Sequence, residues 1–208
     1  MSVQSELMNE ASRLILVRHG TCARLDELLL GRTVDVPLNQ DGRAQARAVA
    51  AYLSSVKHAL IECSPRLRAR QTAEEIGRRL NIRPAVACAI DELDFGSWSG
   101  QRFAALERDA QWQFWNRDRS RACTPAGDSI AAVHRRASTY LERLRRSHPG
   151  RTLILVSHAE VIRTLLLSWL GLSANDFTQV PIEPASVTNV DFDASGARVR
   201  ATHNQVAA

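Results

Sequence analysis

Two segments that lie far apart in this chain of 208 residues are nearly identical. Residues 14–20 read LILVRHG and residues 153–159 read LILVSHA, so each is an apolar run that leads to a histidine and then to a small residue. Continuous apolar runs of this kind are typical of strands that are buried on both faces of a parallel sheet. The repeat therefore predicts two central strands that lead to His19 and His158.

Apolar strand patterns alternate with longer helical patterns along the rest of the chain. A short strand is predicted at residues 59–63, and a hairpin around Ser195-Gly196 is predicted at 186–192 and 198–203. Apolar residues at helical spacing occur in the segments 43–56, 65–80, 130–144 and 161–170. The alternation favours an α/β fold with a parallel sheet that helices cover on both faces. We expect a single domain over residues 1–208, with an aromatic-rich helical cap inserted at about 101–121.

Composition argues against several other classes of protein. The cysteines form neither a CxxC pair nor a Cys-x5-Arg run, so no zinc site, redox motif or cysteine nucleophile is indicated. No apolar stretch reaches the roughly 18 residues of a membrane span, and no secretory pattern precedes the first strand, which predicts a cytoplasmic protein without a membrane partner. The net charge of +5 is spread along the chain, and Lys57 is the only lysine. Because arginine suits phosphate recognition and no basic cluster stands out, we expect no nucleic-acid partner.

The ends of parallel strands meet at one edge of a sheet, where functional groups gather. His19 and His158 are therefore expected to face the same site. After the strand at 59–63, Ser64-Pro65 is typical of a helix N-cap followed by a proline at the first helical position. This places Arg68 in the first turn of that helix, where its guanidinium can reach over the strand ends.

These residues together favour phosphoryl transfer. A neutral imidazole can attack phosphorus, a second imidazole can hold phosphoryl oxygens, and Arg18 and Arg68 supply fixed positive charge. Phosphoryl transfer depends mainly on positioning and on charge neutralisation, so we expect no metal and no other cofactor. The residues alone do not rank His19 above His158 as the nucleophile.

The leaving oxygen needs a proton, which a carboxylic acid with a raised pKa can donate. Glu92 is the candidate because aromatic residues and glycines follow it in the segment 91–98. Asp91 and Asp94 are nearly as suitable from sequence alone, and a solvated loop carboxylate is the ordinary alternative.

Six segments, taken in order, resemble the histidine phosphatase superfamily, also called phosphoglycerate mutase-like. The segments are 16–20, 31–42, 64–73, 92–100, 125–129 and 157–163. The resemblance implies a three-layer α/β/α sandwich. It also implies that His19 is phosphorylated, that Arg18, Arg68 and His158 bind the phosphoryl group, and that Glu92 acts first as an acid and then as a base.

The resemblance also places three further residues beside the phosphoryl group: Thr21, Cys22 and Ala159. These stand where the family often has Glu or Gln, Thr, and Gly respectively. Leu25 stands where the family has an asparagine that touches phosphate, so this chain departs from the pattern at that contact.

We therefore expect a hydrolase that acts on a small phosphorylated metabolite, such as a sugar phosphate, a nucleotide-like phosphate such as α-ribazole phosphate, or phosphoserine. One alternative is a phosphoglycerate mutase, although mutases of this family are usually longer, with segments that guard the phosphohistidine. The other is a catalytically weak anion-binding module, which Cys22 and Leu25 favour. The cap is rich in aromatic and arginine side chains, which suit contact with an aromatic or anionic leaving group. Ordinary packing of the cap with a solvated run of charges is the alternative. The residues concerned are Trp112, Phe114, Trp115, Arg117, Arg119 and Arg121. The oligomeric state is open, with a homodimer as one option.

Overall fold

The computed structural model describes residues 12–193 and 196–204. The strands are β1 (Ser12–Arg18), β2 (Ala59–Cys63), β3 (Ala85–Val86), β4 (Thr152–Ser157), β5 (Val187–Asp193) and β6 (Gly196–His203). They form one sheet in the order β3-β2-β4-β1-β5-β6. The first four of these are mutually parallel, whereas β5 runs antiparallel to both of its neighbours. The sheet is thus mostly parallel, as the alternation of strands and helices predicts.

The helices flank this sheet. They are α1 (Gln40–Tyr52), α2 (Leu67–Leu80), α3 (Phe103–Leu106), α4 (Ala110–Arg117), α5 (Ile130–Ser147) and α6 (Ala159–Trp169). Short 3-10 turns occur at Cys88–Ile90, Gly96–Trp98 and Ala174–Gln179. The four helical segments predicted from sequence correspond to α1, α2, α5 and α6, with ends that differ by a few residues.

Alternating residues of β1 enter two separate hydrophobic cores. Ile15 and Val17 pack with residues of α1 and α2, whereas Leu14 and Leu16 pack with residues of α5 and α6. All four side chains are buried because helices cover both faces of the strand. This arrangement confirms the three-layer α/β/α sandwich.

A third core belongs to the cap. α3 and α4 lie within the segment predicted as an insertion, and their apolar side chains pack on Trp98 and on residues of α5 and α6. Trp98 and Trp115 are both buried, with their ring centroids 6.3 Å apart in an edge-to-face arrangement. The cap is therefore anchored to the layer that α5 and α6 form.

The N-cap predicted for α2 is wrong. The helix begins at Leu67. The backbone N–H of Leu67 donates to Asp35 Oδ1 at 2.7 Å, so the acceptor comes from a distant loop and not from a local cap residue. The residue at the N-cap position is Arg66 rather than Ser64. Ser64 Oγ accepts from the Arg66 N–H at 3.3 Å, outside the helix, and also contacts His158 and Asp91.

The predicted C-terminal hairpin is present as the antiparallel pair β5 and β6. Gly196 begins β6, whereas Ser195 lies outside the described residues.

Candidate active site

The two histidine-bearing strands lie side by side in the centre of the sheet. β1 and β4 pair in parallel, with Val17 opposite Val156 and Arg18 opposite Ser157. The backbone N–H of His19 continues the ladder by donating to the Ser157 carbonyl at 3.0 Å. The rings of His19 and His158 consequently meet edge to face, with their centroids 5.1 Å apart. The in-register repeat therefore brings both imidazoles to one edge of the sheet.

The His19 ring is held with one nitrogen directed at the other site residues. Its Nδ1 lies 2.8 Å from the Gly20 carbonyl oxygen, an acceptor that requires the proton to be on Nδ1. Nε2 then carries the lone pair and accepts from Arg68 Nε at 3.2 Å. Burial, followed by the charges of Arg68 and Arg18, lowers the pKa of His19 well below its usual value. The ring is accordingly neutral near pH 7, the form in which it is a nucleophile.

Arg68 joins the two histidines. It is 1% exposed, and its second terminal nitrogen lies 3.4 Å from His158 Nδ1. The same nitrogen donates to the Gly31 carbonyl at 2.9 Å, which fixes the plane of the guanidinium. The structure thus places Arg68 over the ends of β1 and β4, as expected, although α2 starts later than the sequence predicts.

His158 is oriented by a chain of two polar groups. Ser64 Oγ donates to Asp91 Oδ1 at 3.1 Å, so it accepts from His158 Nε2 at 2.7 Å. His158 Nδ1 therefore faces Arg68 and Glu92. Burial is the largest cause that lowers the pKa of His158 well below its usual value, and the neighbouring positive charges add to it.

Glu92 lies next to this second histidine. Its Oε2 is 3.5 Å from His158 Nδ1, and its Oε1 accepts from the Leu93 backbone N–H at 2.8 Å. Burial raises the pKa of Glu92 to about 7, which the charge of Arg68 only partly offsets. A carboxyl group with this pKa exchanges a proton readily near neutral pH.

The other two carboxylates of this segment have different partners. Asp91 Oδ1 accepts from Ser64, from Arg66 Nε at 3.0 Å and from the Glu92 N–H at 2.8 Å. Asp94 pairs with Arg32 at 3.6 Å and accepts from the Gly96 N–H at 2.9 Å. Of the three candidates for the proton donor, Glu92 is therefore the one that faces the histidines.

A cavity of about 480 Å³ lies between the strand ends and the cap. The predicted site residues Arg18, His19, Thr21, Arg68, Glu92 and Ala159 line it. Arg18 donates to the Ile182 carbonyl at 2.6 Å, and its buried Nε has no hydrogen-bond partner among the described residues. The prediction that Cys22 borders the site is wrong, because its side chain packs with Leu28 and Leu30 and does not line the cavity.

The cap forms the outer wall of the cavity. Of the cap residues considered from sequence, Trp112, Trp115 and Arg119 line it, whereas Phe114, Arg117 and Arg121 do not. Arg119 stacks on Phe177 at 3.6 Å from the ring centroid and donates to Glu160 at 2.9 Å. The wall thus offers aromatic faces together with charges of both signs.

Sequence reasoning missed Ser64 as a partner of His158 and two arginines behind Glu92, Arg32 and Arg136. No local pattern marks these contacts, because their partners lie between 27 and 94 residues away in the chain. Within 12–193 and 196–204, no group of three or more His, Cys, Asp or Glu side chains has the geometry of a metal site. Over the same residues, no helix has the length and apolar character that a membrane crossing requires.

Comparison with known proteins agrees with this geometry. A bifunctional protein of Mycobacterium tuberculosis is 32% identical over 189 residues, which are 89% of this chain and 52% of that protein, so the chain spans about half the length of that relative. Phosphoserine phosphatase 1 of Hydrogenobacter thermophilus is 29% identical over 186 residues, 87% of each chain. The structure of mycobacterial glucosyl-3-phosphoglycerate phosphatase with VO3 has a TM-score of 0.81 and 26% identity, covering 91% of this chain and 97% of that one.

Residues 14–205 match the model of the histidine phosphatase superfamily, branch 1, which is nearly the whole of the described chain. The match includes both strand–histidine segments, the Arg68 helix and the Glu92 segment. The chain therefore belongs to the histidine phosphatase superfamily.

Proposed function

We propose that the protein hydrolyses small phosphomonoesters through a phosphohistidine formed on His19. The observation that carries the proposal is the contact of one buried guanidinium, Arg68, with both His19 Nε2 and His158 Nδ1. A phosphoryl group at this point meets a neutral nucleophile and fixed positive charge together. Relatives that are phosphatases for phosphoserine and for glucosyl-3-phosphoglycerate support hydrolysis of a phosphomonoester.

In the first step, His19 Nε2 attacks phosphorus. The N–P bond forms while the bond from phosphorus to the ester oxygen breaks, and neutral Glu92 gives its proton to the departing alcohol. Arg18 and Arg68 hold the phosphoryl oxygens. The negative charge of the bound group also favours a second proton on His158, taken from solvent on binding and returned when phosphate leaves, which turns Nδ1 into a donor.

In the second step, water attacks the phosphohistidine. The Glu92 carboxylate takes a proton from that water, the N–P bond breaks, and inorganic phosphate leaves with His19 neutral again. The ester and one water thus yield an alcohol and phosphate, and Glu92 ends protonated, as it began, with a proton taken from the water.

We propose that the leaving alcohol occupies the cavity beneath the cap. Its aromatic wall and the paired charges of Arg119 and Glu160 suit a polar metabolite with an apolar part. Thr21 and Ala159 line the same cavity, which supports their proposed place beside the phosphoryl group. The cytoplasmic location and the single domain over residues 1–208 stay predictions from the sequence, as does a homodimer as one option.

The test is phosphate release from a panel of phosphomonoesters by wild type, His19→Ala and a control, His203→Ala. His203 is exposed and stacks on Tyr52, away from the cavity. We expect His19→Ala to lose turnover by at least ~10³-fold because the covalent route is removed, and the control to keep it. Acid-labile phosphate should be trapped on wild type and not on His19→Ala.

Other outcomes would contradict the proposal. Full turnover by His19→Ala would exclude the phosphohistidine. Isomerisation of 3-phosphoglycerate without net phosphate release would identify a mutase. Tight phosphate binding by wild type with no turnover of any ester would identify an anion-binding module.

A further inference from the structure

The segment that carries Glu92 has little regular structure of its own. It runs from the 3-10 turn at Cys88–Ile90 to the turn at Gly96–Trp98, and no strand ladder fixes residues 91–95. A carboxyl group that must meet one ester oxygen needs its backbone held within a fraction of an ångström. The structure supplies that constraint from side chains on other elements.

Arg136 of α5 provides most of these contacts. One terminal nitrogen donates to the Ala89 carbonyl at 2.7 Å, and the other donates to the Asp91 and Glu92 carbonyls at 2.6 and 2.9 Å. One planar guanidinium therefore binds three carbonyls within four residues, which a single ammonium group does not match. The flanking positions Val133 and Ala137 are fully buried in the cap core, so Arg136 projects from a fixed helix.

Arg32 binds the same backbone from another segment of the chain. Its Nε donates to the Glu92 carbonyl at 2.7 Å, and a terminal nitrogen pairs with Asp128 at 2.8 Å. Arg32 follows Gly31, whose carbonyl accepts from Arg68. The Glu92 carbonyl thus accepts from two guanidinium groups at once, and one of them belongs to the loop that also fixes Arg68.

We propose that Arg136, assisted by Arg32, is a positioning residue that holds the Glu92 carboxyl at the leaving oxygen. The inference rests on the proposed role of Glu92 as proton donor. Neither arginine lines the cavity, so neither contacts the substrate. Their effect on the reaction passes through the backbone of Glu92.

A positioning role makes a specific kinetic prediction. Benzyl phosphate has a poor leaving group that needs a proton, whereas p-nitrophenyl phosphate has a good one that departs as an anion. Arg136→Met should lower kcat/KM for benzyl phosphate by about 10- to 100-fold, because misplacing the acid loses part of the roughly 10²- to 10⁴-fold that general acid catalysis contributes. The same variant should change kcat/KM for p-nitrophenyl phosphate by less than about threefold.

The experiment compares wild type, Arg136→Met, Glu92→Gln and the control Arg135→Met on both esters. Arg135 is the preceding residue of α5, carries the same charge and is exposed. We expect Glu92→Gln to show the same dependence on leaving group as Arg136→Met, and the control to match wild type. Thermal unfolding of each variant reports whether the fold is intact.

The outcomes separate this inference from the proposed function. Equal losses on the two esters for Arg136→Met, or no loss on either, would overturn the positioning role. Equal losses on the two esters for Glu92→Gln would instead reject Glu92 as the proton donor. If Arg136→Met does not fold, Arg32→Met takes its place with the same expected contrast and the same overturning result.

Discussion

At the scale of single residues, burial determines which protonation states the site offers. The same removal from water that keeps the His19 ring neutral also keeps Glu92 protonated to a higher pH than an exposed glutamate. A neutral nucleophile and a neutral acid are the forms that the first step requires. Burial therefore favours the neutral form of both groups, because it lowers the pKa of the imidazole and raises the pKa of the carboxyl group.

The raised pKa of Glu92 predicts the alkaline limb of the pH profile. Because the protonated acid is the active form, kcat/KM for an ester with a poor leaving group should fall above about pH 7, approaching tenfold per pH unit. The measurement is the pH dependence of kcat/KM for benzyl phosphate with wild type and Glu92→Gln. The limb near pH 7 should disappear in the variant, and its persistence there would assign it to another group.

At the scale of secondary-structure elements, the helix α1 packs very closely against the loop that follows His19. Gly42, in the first turn of α1, lies against this loop, and a Cβ there would sit 1.9 Å from the Thr21 carbonyl oxygen. The helix also reaches the loop through Gln45, whose side-chain oxygen accepts from the Thr21 N–H at 2.8 Å. α1 thereby fixes the backbone that follows His19, the proposed nucleophile.

This close approach predicts the effect of Gly42→Ala. The added methyl group must displace backbone atoms, so we expect the free energy of unfolding to fall by roughly 1–3 kcal/mol. Displacement of His19 should lower kcat/KM by at least about tenfold, since small misplacements of reacting groups are costly.

The matched control is Ala51→Gly, at an exposed position of the same helix. It should cost at most about 1 kcal/mol of stability, because the position is close to the end of the helix, and it should leave kcat/KM unchanged. Chemical denaturation and steady-state kinetics on both variants separate the two effects. A Gly42→Ala enzyme with wild-type kcat/KM would show that the loop tolerates the shift.

At the scale of the whole molecule, the sheet edge and the cap line different sides of one cavity. The cavity is lined near the sheet edge by residues at the end of β1, in α2, at the start of α6 and in the Glu92 segment, whereas Trp112, Trp115 and Arg119 line it from the cap. Catalysis and substrate choice should therefore respond to different substitutions.

Trp112 tests this division because it lines the cavity from α4 and stacks edge to face on Trp98 at 5.1 Å. Trp112→Ala should raise KM for p-nitrophenyl phosphate by about three- to tenfold, the value of an aromatic contact, with little change in kcat. Phe114→Ala, on the same helix but outside the cavity, is the control. A loss of kcat as large as the change in KM would place Trp112 among the groups that organise the reaction.

The sequence by itself determined the pairing of the histidines. Apolar runs that can be buried on both faces specify parallel central strands, and the in-register pairing of runs of equal length before His19 and His158 brings the two rings to the same level. This information is local and periodic, so it can be read without a structure. The helices and the cap followed from patterns of the same kind.

Only the tertiary structure decided which polar side chains form hydrogen bonds or ion pairs with one another. Residue type and spacing hardly separate Glu92 from Asp91 and Asp94, and only the family resemblance favours Glu92. In the structure, Asp91 contacts Ser64 and Arg66, and Asp94 contacts Arg32, which leaves Glu92 beside His158. Ser64 likewise has the sequence of a helix cap and the contacts of a histidine partner. The physical reason is that these hydrogen bonds join segments far apart in the chain, and their strength depends on burial that no local pattern encodes.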